Sequence, residues 1–558
     1  MQLVGILWFA VGVFLLVLKL FTRIKISLVW LALTALAPVA AVHIVNPLFR
    51  VWSFHSLMHG GIVYQIMNGN IPPPAPLVGG TPLNYPWGAH LLAAALSKAA
   101  DITPYTSFAF INATSLLISI ILAYKISKLL LDDQRANMLS ALIPFFAVSL
   151  GPGGLTRLLP DAVPTEFRGI PLLGKYCTTN ALPLGVVFTL MFLISGLRLL
   201  RADGISRNLL MVAGAVIGCG FFYPPFLPGL VAGAGAAFLL SLAFRLVGAS
   251  SLCLKRSALL LAVVAGCLIV LRPYLTSVGG GIISQAVLFN PVWAGRNAVR
   301  YLVAGLPLLI VVVFGLSRLR RAIEHQQLIF MLGVLAGNLV CYLLIHLPFK
   351  GEYKFLLVSL VTLGILGGIG FRALLDRNRT LAFALLALLL FQGYTIITRT
   401  SQGREEHYHY LERGSALHTA YGPREELYAW IRDNTPTDAV FLDDDIDIPA
   451  LAQRQLYIPP RRLWRPPPRR GYGLVRNILD LQTGYGSGIV ESRSALIEQV
   501  YNPEVPLTRS QLDALRALPG PAYIISSGRA LRTKLGVDLE EVFRTSGGRY
   551  RVHQVPEE

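Results

Sequence analysis

Charge is scarce in this chain, and acid is scarcer than base. Of 558 residues, 14% are Asp, Glu, Lys or Arg, where an ordinary soluble domain has about 25%. With 54% hydrophobic residues, a wholly water-soluble globule is excluded and most of the chain belongs in lipid. Lys and Arg number 49 against 30 Asp and Glu, a formal net charge of +19. Many of those cations stand in short connections between apolar runs, and no basic stripe marks a soluble module, which excludes nucleic acid as a partner. Cysteine is sparse too: Cys177, Cys219, Cys253, Cys267 and Cys341, with no CxxC pair. That excludes a zinc ribbon and a disulfide framework. No internal repeat is visible, and ionisable residues gather at the ends of apolar runs rather than in their middles, which disfavours a transporter. The run from Leu3 to Leu18 has neither a basic leader nor a small-residue cleavage site, so it reads as a retained span.

What is present is a series of apolar runs of spanning length. They fall at 3–20, 27–46, 105–124, 136–151, 181–199, 208–223, 226–244, 257–273, 299–316, 327–347, 354–371 and 379–397. A shorter run at 87–100 reads as re-entrant. The connections alternate in charge. One set is short and basic, for example Lys19, Arg23 and Lys25, then Lys125, Lys128 and Arg135, then Arg198, Arg201 and Arg207. Short basic connections face the cytoplasm. The other set holds 47–104, 152–180, the Tyr223-Pro224-Pro225 turn, 274–298, 348–353 and the tail, and should lie outside. The expected organisation is a transmembrane domain over 1–398, with outer loops 47–104 and 152–180, and a soluble extracytoplasmic domain over 399–558.

The tail has ordinary soluble patterning. Tyr421 to Asn434 predicts an amphipathic helix with Leu427, Trp430 and Ile431 on one face. Ala439 to Leu442, Tyr457-Ile458, Ala522 to Ile525 and Tyr550 to Val555 predict strands, with helices near 492–501 and 509–517. Strands alternating with helices argue for a small α/β domain. The Asp443–Asp447 cluster lacks the glycine and terminal glutamate of a calcium loop, so it reads as a solvated strand end.

Three groups of polar residues in the outer loops could carry chemistry. In the first loop, His55 and His59 stand at i, i+4, on one face of a helix, and His90 follows a Tyr85-Pro86-Trp87-Gly88 turn. The pair also suits a plain interfacial helix. The second loop holds Arg157, Asp161, Glu166, Arg168 and Lys175. The third group is Lys350-Gly351-Glu352-Tyr353-Lys354, which opens a late span. Carboxylates and imidazoles converging from separate loops could hold a divalent metal, Mg²⁺ or Mn²⁺ by their oxygen donors, with Glu352 and His55 as candidate ligands. Lys350, Lys354, Arg272 and Arg296 could hold a phosphate, or the lysines could snorkel to headgroups.

Four features resemble the GT-C superfamily of integral-membrane glycosyltransferases, which use polyprenyl-phosphate-linked sugars. They are the Tyr85-Pro86-Trp87-Gly88-Ala89-His90 segment leading an apolar helix, the Gly69-Asn70-Ile71-Pro72 step before it, the acid Asp161 in the second outer loop, and Glu352-Tyr353-Lys354-Phe355 at a late span. Trp430 to Val440 is similar to the soluble domain of such proteins. The resemblance implies a polytopic α-helical membrane protein with a GT-C-like bundle and a C-terminal α/β domain. It implies transfer from a lipid-linked donor to a glycan, lipid or protein acceptor on the outer face. One departure stands out. The family carries an acid early in the first outer loop, whereas no Asp or Glu occurs between Arg50 and His90 here. The general base then falls to Asp161 or Glu166, with His55, His59 and His90 on the substrate side and Arg272, Lys350 or Lys354 on the phosphate. The alternative is a non-catalytic relative, or a protein that binds or carries lipid-linked glycans in envelope assembly.

Overall fold

A computed structural model describes residues 54–146, 172–176, 178–201, 204–246, 251–283, 287–347, 351–382, 384–385, 423–443, 446–459, 479–480, 482–483, 488–502, 508–527 and 539–556. The spans expected at 3–20 and 27–46, most of that at 379–397, and Asp161, Glu166 and Lys350 lie outside the described residues. The chain divides into two compact units.

The first unit includes Ala109–Thr276 and Gln285–Gln402. Its helices, numbered along the chain after α1 and α2 of the second unit, are α3 (Pro104–Leu130), α4 (Gln134–Phe146), α5 (Leu172–Tyr176), α6 (Leu182–Arg201), α7 (Ile205–Phe222), α8 (Leu227–Leu246), α9 (Ser251–Ile283), α10 (Pro291–Ala322), α11 (His325–Leu344) and α12 (Tyr353–Arg377). Among the described residues seven helices are long and apolar enough to cross a membrane, and each coincides with an expected span. In lipid every backbone N–H and C=O must be satisfied within the segment, so apolar runs of this length fold as helices. This is an integral membrane protein.

The helix α12 is the centre of its unit: 94% of its apolar window is buried, against 22% for that of α9. It packs on α4, α10 and α11. Small residues allow this. A Cβ at Gly315 of α10 would lie 2.3 Å from the Gly370 Cα of α12, so the two backbones touch where neither has a side chain. Two of the helix starts are capped by short polar side chains. Asp133 accepts from the backbone N–H groups of Arg135 and Ala136 at 2.9 and 3.1 Å, opening α4. Asn180 accepts from the Leu182 N–H at 2.9 Å, opening α6. A two-residue antiparallel pair, β1 (Val287–Leu288) with β2 (Ile345–His346), joins the segments before α10 and after α11.

The second unit combines Leu48–Phe108 with Gly403–Glu558 and the short stretch Ser277–Ser284. The first outer loop therefore belongs with the tail, across the boundary drawn near 398 from sequence. Its elements are α1 (Phe54–Met67), α2 (Gly88–Ala100), α13 (Pro423–Asn434), α14 (Ile489–Val500), α15 (Arg509–Arg516), and strands β3 (Val440–Leu442), β4 (Gln455–Leu456), β5 (Ala522–Ser527), β6 (Glu540–Arg544) and β7 (Tyr550–Gln554). The sheet order is β4-β3-β5-β7-β6, parallel across the first three strands and antiparallel across the last three. The loop after α1 closes the β4 edge. Leu456 N–H donates to Pro76 O at 2.8 Å, and Gly79 N–H donates to Leu456 O at 2.7 Å. An edge strand left bare would expose unpaired backbone groups.

Most tail elements match the pattern read from sequence, with β6 added and the strand expected at Tyr457-Ile458 lying instead at Gln455–Leu456. One reading is corrected: Asp443 and Asp447 are buried, at 1% and 0% exposure. Arg424 stands 3.8 Å from Asp443 and also donates to the Tyr428 and Tyr550 hydroxyls, which gives a buried carboxylate a cationic neighbour in place of water. At thirteen residues α2 is about 20 Å long, too short to cross a bilayer core of about 30 Å.

Candidate functional site

In the first unit, two loops converge on the head of α12. The β1–β2 pair sets His346 beside that head. The ring of Trp293, in the first turn of α10, stacks on His346 with centroids 4.3 Å apart. Arg296, one turn on, lies over the other side of this column, 5.6 Å from the Trp293 centroid. The His346 Nδ1 stands 3.3 Å from a carboxylate oxygen of Glu352, and the second oxygen accepts from the Leu347 N–H at 3.3 Å. Glu352 is 1% exposed, so it is not the loop-surface charge its lysine and glycine neighbours suggest. Behind it, Arg300 hydrogen-bonds the Tyr342 hydroxyl, and Asn297 donates to the Tyr342 carbonyl at 2.9 Å. The result is a braced column that fixes the start of α12.

The next residue, Tyr353, carries the exposed chemistry. Lys354 Nζ lies 5.4 Å from the Tyr353 ring centroid and Lys175 Nζ 5.9 Å. The two lysines come from segments far apart in sequence. Lys175 is held by its own turn: its carbonyl accepts from Asn180 Nδ2 at 2.7 Å, and Asn112 of α3 donates to Thr178 O at 2.8 Å. Tyr353 is itself tied to Tyr223 by a side-chain hydrogen bond. Two half-buried cations on one aromatic ring form a place where an anion, above all a phosphate, gains two contacts at once.

Of the sequence candidates, Lys175 and Lys354 thus come to one ring, that of the residue following Glu352. Arg272 is an exposed residue of α9, and among the described residues no hydrogen bond, ion pair or ring contact joins it to this group. Trp293, Arg300, Tyr342 and His346 were not singled out beforehand. His346 closes an apolar run expected as a span, and its position at the end of that run was the only local signal.

In the second unit, His59 of α1 and His90 of α2 come together. His59 Nδ1 and His90 Nε2 are 2.6 Å apart, and both residues are 0% exposed. The rings are boxed by Tyr85 and Phe108, with centroid distances of 5.6 to 6.0 Å. The bond joins α1 to α2 and fixes the loop between them. His55 lies in α1, and its side chain is outside the described residues. Beside the pair, the Tyr105 hydroxyl sits against Gly60, where a Cβ would come within 2.2 Å. Burial raises the Tyr64 hydroxyl above its ordinary range, with Arg432 opposing.

Among the described residues no three His, Cys, Asp or Glu side chains are grouped to hold a metal. Glu352 has one such neighbour, His346, already stacked on Trp293. This donor set does not fit Mg²⁺ or Mn²⁺, which take several oxygens.

No family model matches the sequence, and no curated protein matches it. Solved structures do. ArnT from Cupriavidus metallidurans bound to undecaprenyl phosphate is 11% identical, with 95% of this chain and 99% of that one covered, at a TM-score of 0.54. The apo form of the same protein is 11% identical over 90% of this chain and 93% of that one, with a TM-score of 0.50. The arabinofuranosyltransferase AftD from Mycobacteria is 13% identical over 96% of this chain and 40% of that one, at 0.51. The chain therefore shares its fold with ArnT and with AftD.

Proposed function

We propose that the chain is a membrane glycosyltransferase that moves a sugar from a polyprenyl-phosphate-linked donor to a glycan, lipid or protein acceptor on the outer face of the membrane. The observation that carries this reading is the pair Lys175 and Lys354 flanking Tyr353 at the head of the buried helix α12. The shared fold supports it, because one protein of that fold was solved with undecaprenyl phosphate.

In this reading the acceptor hydroxyl attacks the anomeric carbon, the bond from that carbon to the phosphate oxygen breaks, and the configuration inverts. The acceptor proton goes to Asp161 or Glu166, and the departing phosphate keeps the bonding electrons. Lys175 and Lys354 stabilise the charge that develops on it, with Lys350 and Arg272 as further cations. Glu352 accepts a hydrogen bond from the Leu347 N–H beside His346, and so positions the segment that carries Lys354. His59 and His90 serve the substrate side by fixing α1 to α2, one turn from His55. A divalent ion enters only if Asp161 or Glu166 supplies the missing oxygens.

A second reading, a non-catalytic relative that binds lipid-linked glycans, is favoured by the absence of any acid between Arg50 and His90. One experiment separates the two: release of polyprenyl phosphate from a labelled donor by purified protein. Under the first reading the wild type releases it, and Asp161→Asn or Glu166→Gln lowers release by at least a hundredfold, the usual contribution of general base catalysis. Binding without release in the wild type establishes the second.

A further inference from the structure

The far end of α11 from His346 holds a second concentration of cations. The C-terminal turns of α3 and α6 and the first turn of α11 enclose a hollow of about 540 Å³. Lys125, Lys128, Arg198 and Arg201 line it, against Asp132 and Glu324. Arg201 is already engaged: its Nε stands 3.6 Å from Glu324, and it donates to Leu129 O at 3.4 Å. Among the described residues, Lys125, Lys128 and Arg198 have no ion-pair partner.

Surface cations at a helix end would by themselves mark only membrane orientation. A second observation points to a ligand. Gln327 lines the same hollow, is 1% exposed, and has a side-chain Nε2 with no hydrogen-bond partner among the described residues. A buried amide donor left unsatisfied is costly, so such a group is expected to meet an acceptor. An acceptor that also answers three cations is a phosphate oxygen. The hollow lies at the ends of three helices long and apolar enough to cross a membrane, and its volume is that of a small-molecule site.

We propose that this hollow binds the phosphodiester headgroup of an anionic phospholipid, with Gln327 donating to a phosphate oxygen and Lys125, Lys128 and Arg198 neutralising its charge. The site is separate from the lysine pair on Tyr353 and does not depend on the function proposed for it.

The test is lipid retention by the purified full chain, read by native mass spectrometry after equilibration with phosphatidylglycerol or phosphatidylcholine. Phosphatidylglycerol should be retained at least tenfold more strongly. Lys125→Gln and Lys128→Gln should each lower its retention about fivefold, the effect of one basic residue at an anionic surface. Gln327→Leu should lower it severalfold with no change in net charge, which a general surface attraction would not produce. Lys255→Gln, outside the hollow, should leave it unchanged, and melting midpoints serve as the folding check. Equal retention of the two lipids, or phosphatidylglycerol retention indifferent either to Gln327→Leu or to both Lys125→Gln and Lys128→Gln, would overturn the proposal. Displacement of the lipid by millimolar inorganic phosphate would assign the same chemistry to a soluble ligand and end the lipid reading.

Discussion

The lysine pair on Tyr353 makes a quantitative claim about one ligand. If a lipid phosphate lies between Lys175 and Lys354, each ammonium forms a charge-assisted hydrogen bond to it. Such bonds contribute about 1.5–3 kcal/mol. Both lysines are half-buried, so solvent screening favours the lower figure. Lys354→Gln should therefore weaken binding of a short-chain polyprenyl phosphate about tenfold, since about 1.4 kcal/mol is one decade. Lys175→Gln should do the same. Because both act on one phosphate, the double change should depart from the sum by about 0.5–1.5 kcal/mol, whereas independent snorkelling lysines would give no such departure. Lys354→Arg keeps the charge and should recover most of the affinity. The loss of one cation–π contact lowers stability by about 0.5–1 kcal/mol, so a melting scan should move little while binding moves a decade. The assay is calorimetric titration of the purified protein in detergent. A double variant that binds within twofold of the wild type would refute the reasoning and return both lysines to the membrane interface.

Two further outcomes are expected in the second unit. Gly60→Ala would push a methyl to 2.2 Å from the Tyr105 hydroxyl, in a tyrosine only 5% exposed; overpacking of this kind costs about 1–3 kcal/mol, read as a lowered melting midpoint, and an unchanged midpoint would show that the ring has room to move. Burial holds His553 below its ordinary pKa, with Glu541 opposing and Arg551 and Arg544 assisting. A histidine kept neutral by folding contributes stability that is fully present above its unfolded pKa of about 6.5 and declines as pH falls through that value. Melting between pH 7.5 and 5.5 should show this decline, and His553→Gln should flatten it.

The spans and most tail elements were legible because each is encoded locally. An apolar run long enough to cross lipid leaves the backbone one solution, and strands such as Val440–Leu442 are short apolar runs bounded by turn residues. The strand Glu540–Arg544 was missed because it is charged: Glu541 pairs there with Arg544 and Arg551 across an exposed edge, so it shows no clear apolar alternation. The site was only half legible, for a different reason. Helical spacing set His55 and His59 on one helix, whereas the contact of His59 with His90, thirty-one residues away beyond a proline turn, has no local signal. Lys354 was visible beside Tyr353, but Lys175 reaches the same ring from another loop, through an asparagine turn with no periodicity of its own.

Glu352 shows why such positions resist reading from the chain alone. In the sequence it stands in a polar segment, Lys350 to Lys354, as a candidate metal ligand. Its neighbours in space are His346, the Leu347 N–H and the Arg300–Tyr342 pair, assembled by a two-residue strand pairing that no window of sequence encodes. Its role in this protein therefore follows from what the fold brings to it. The same holds for Lys175 and Lys354, which reach one ring from separate segments of the chain.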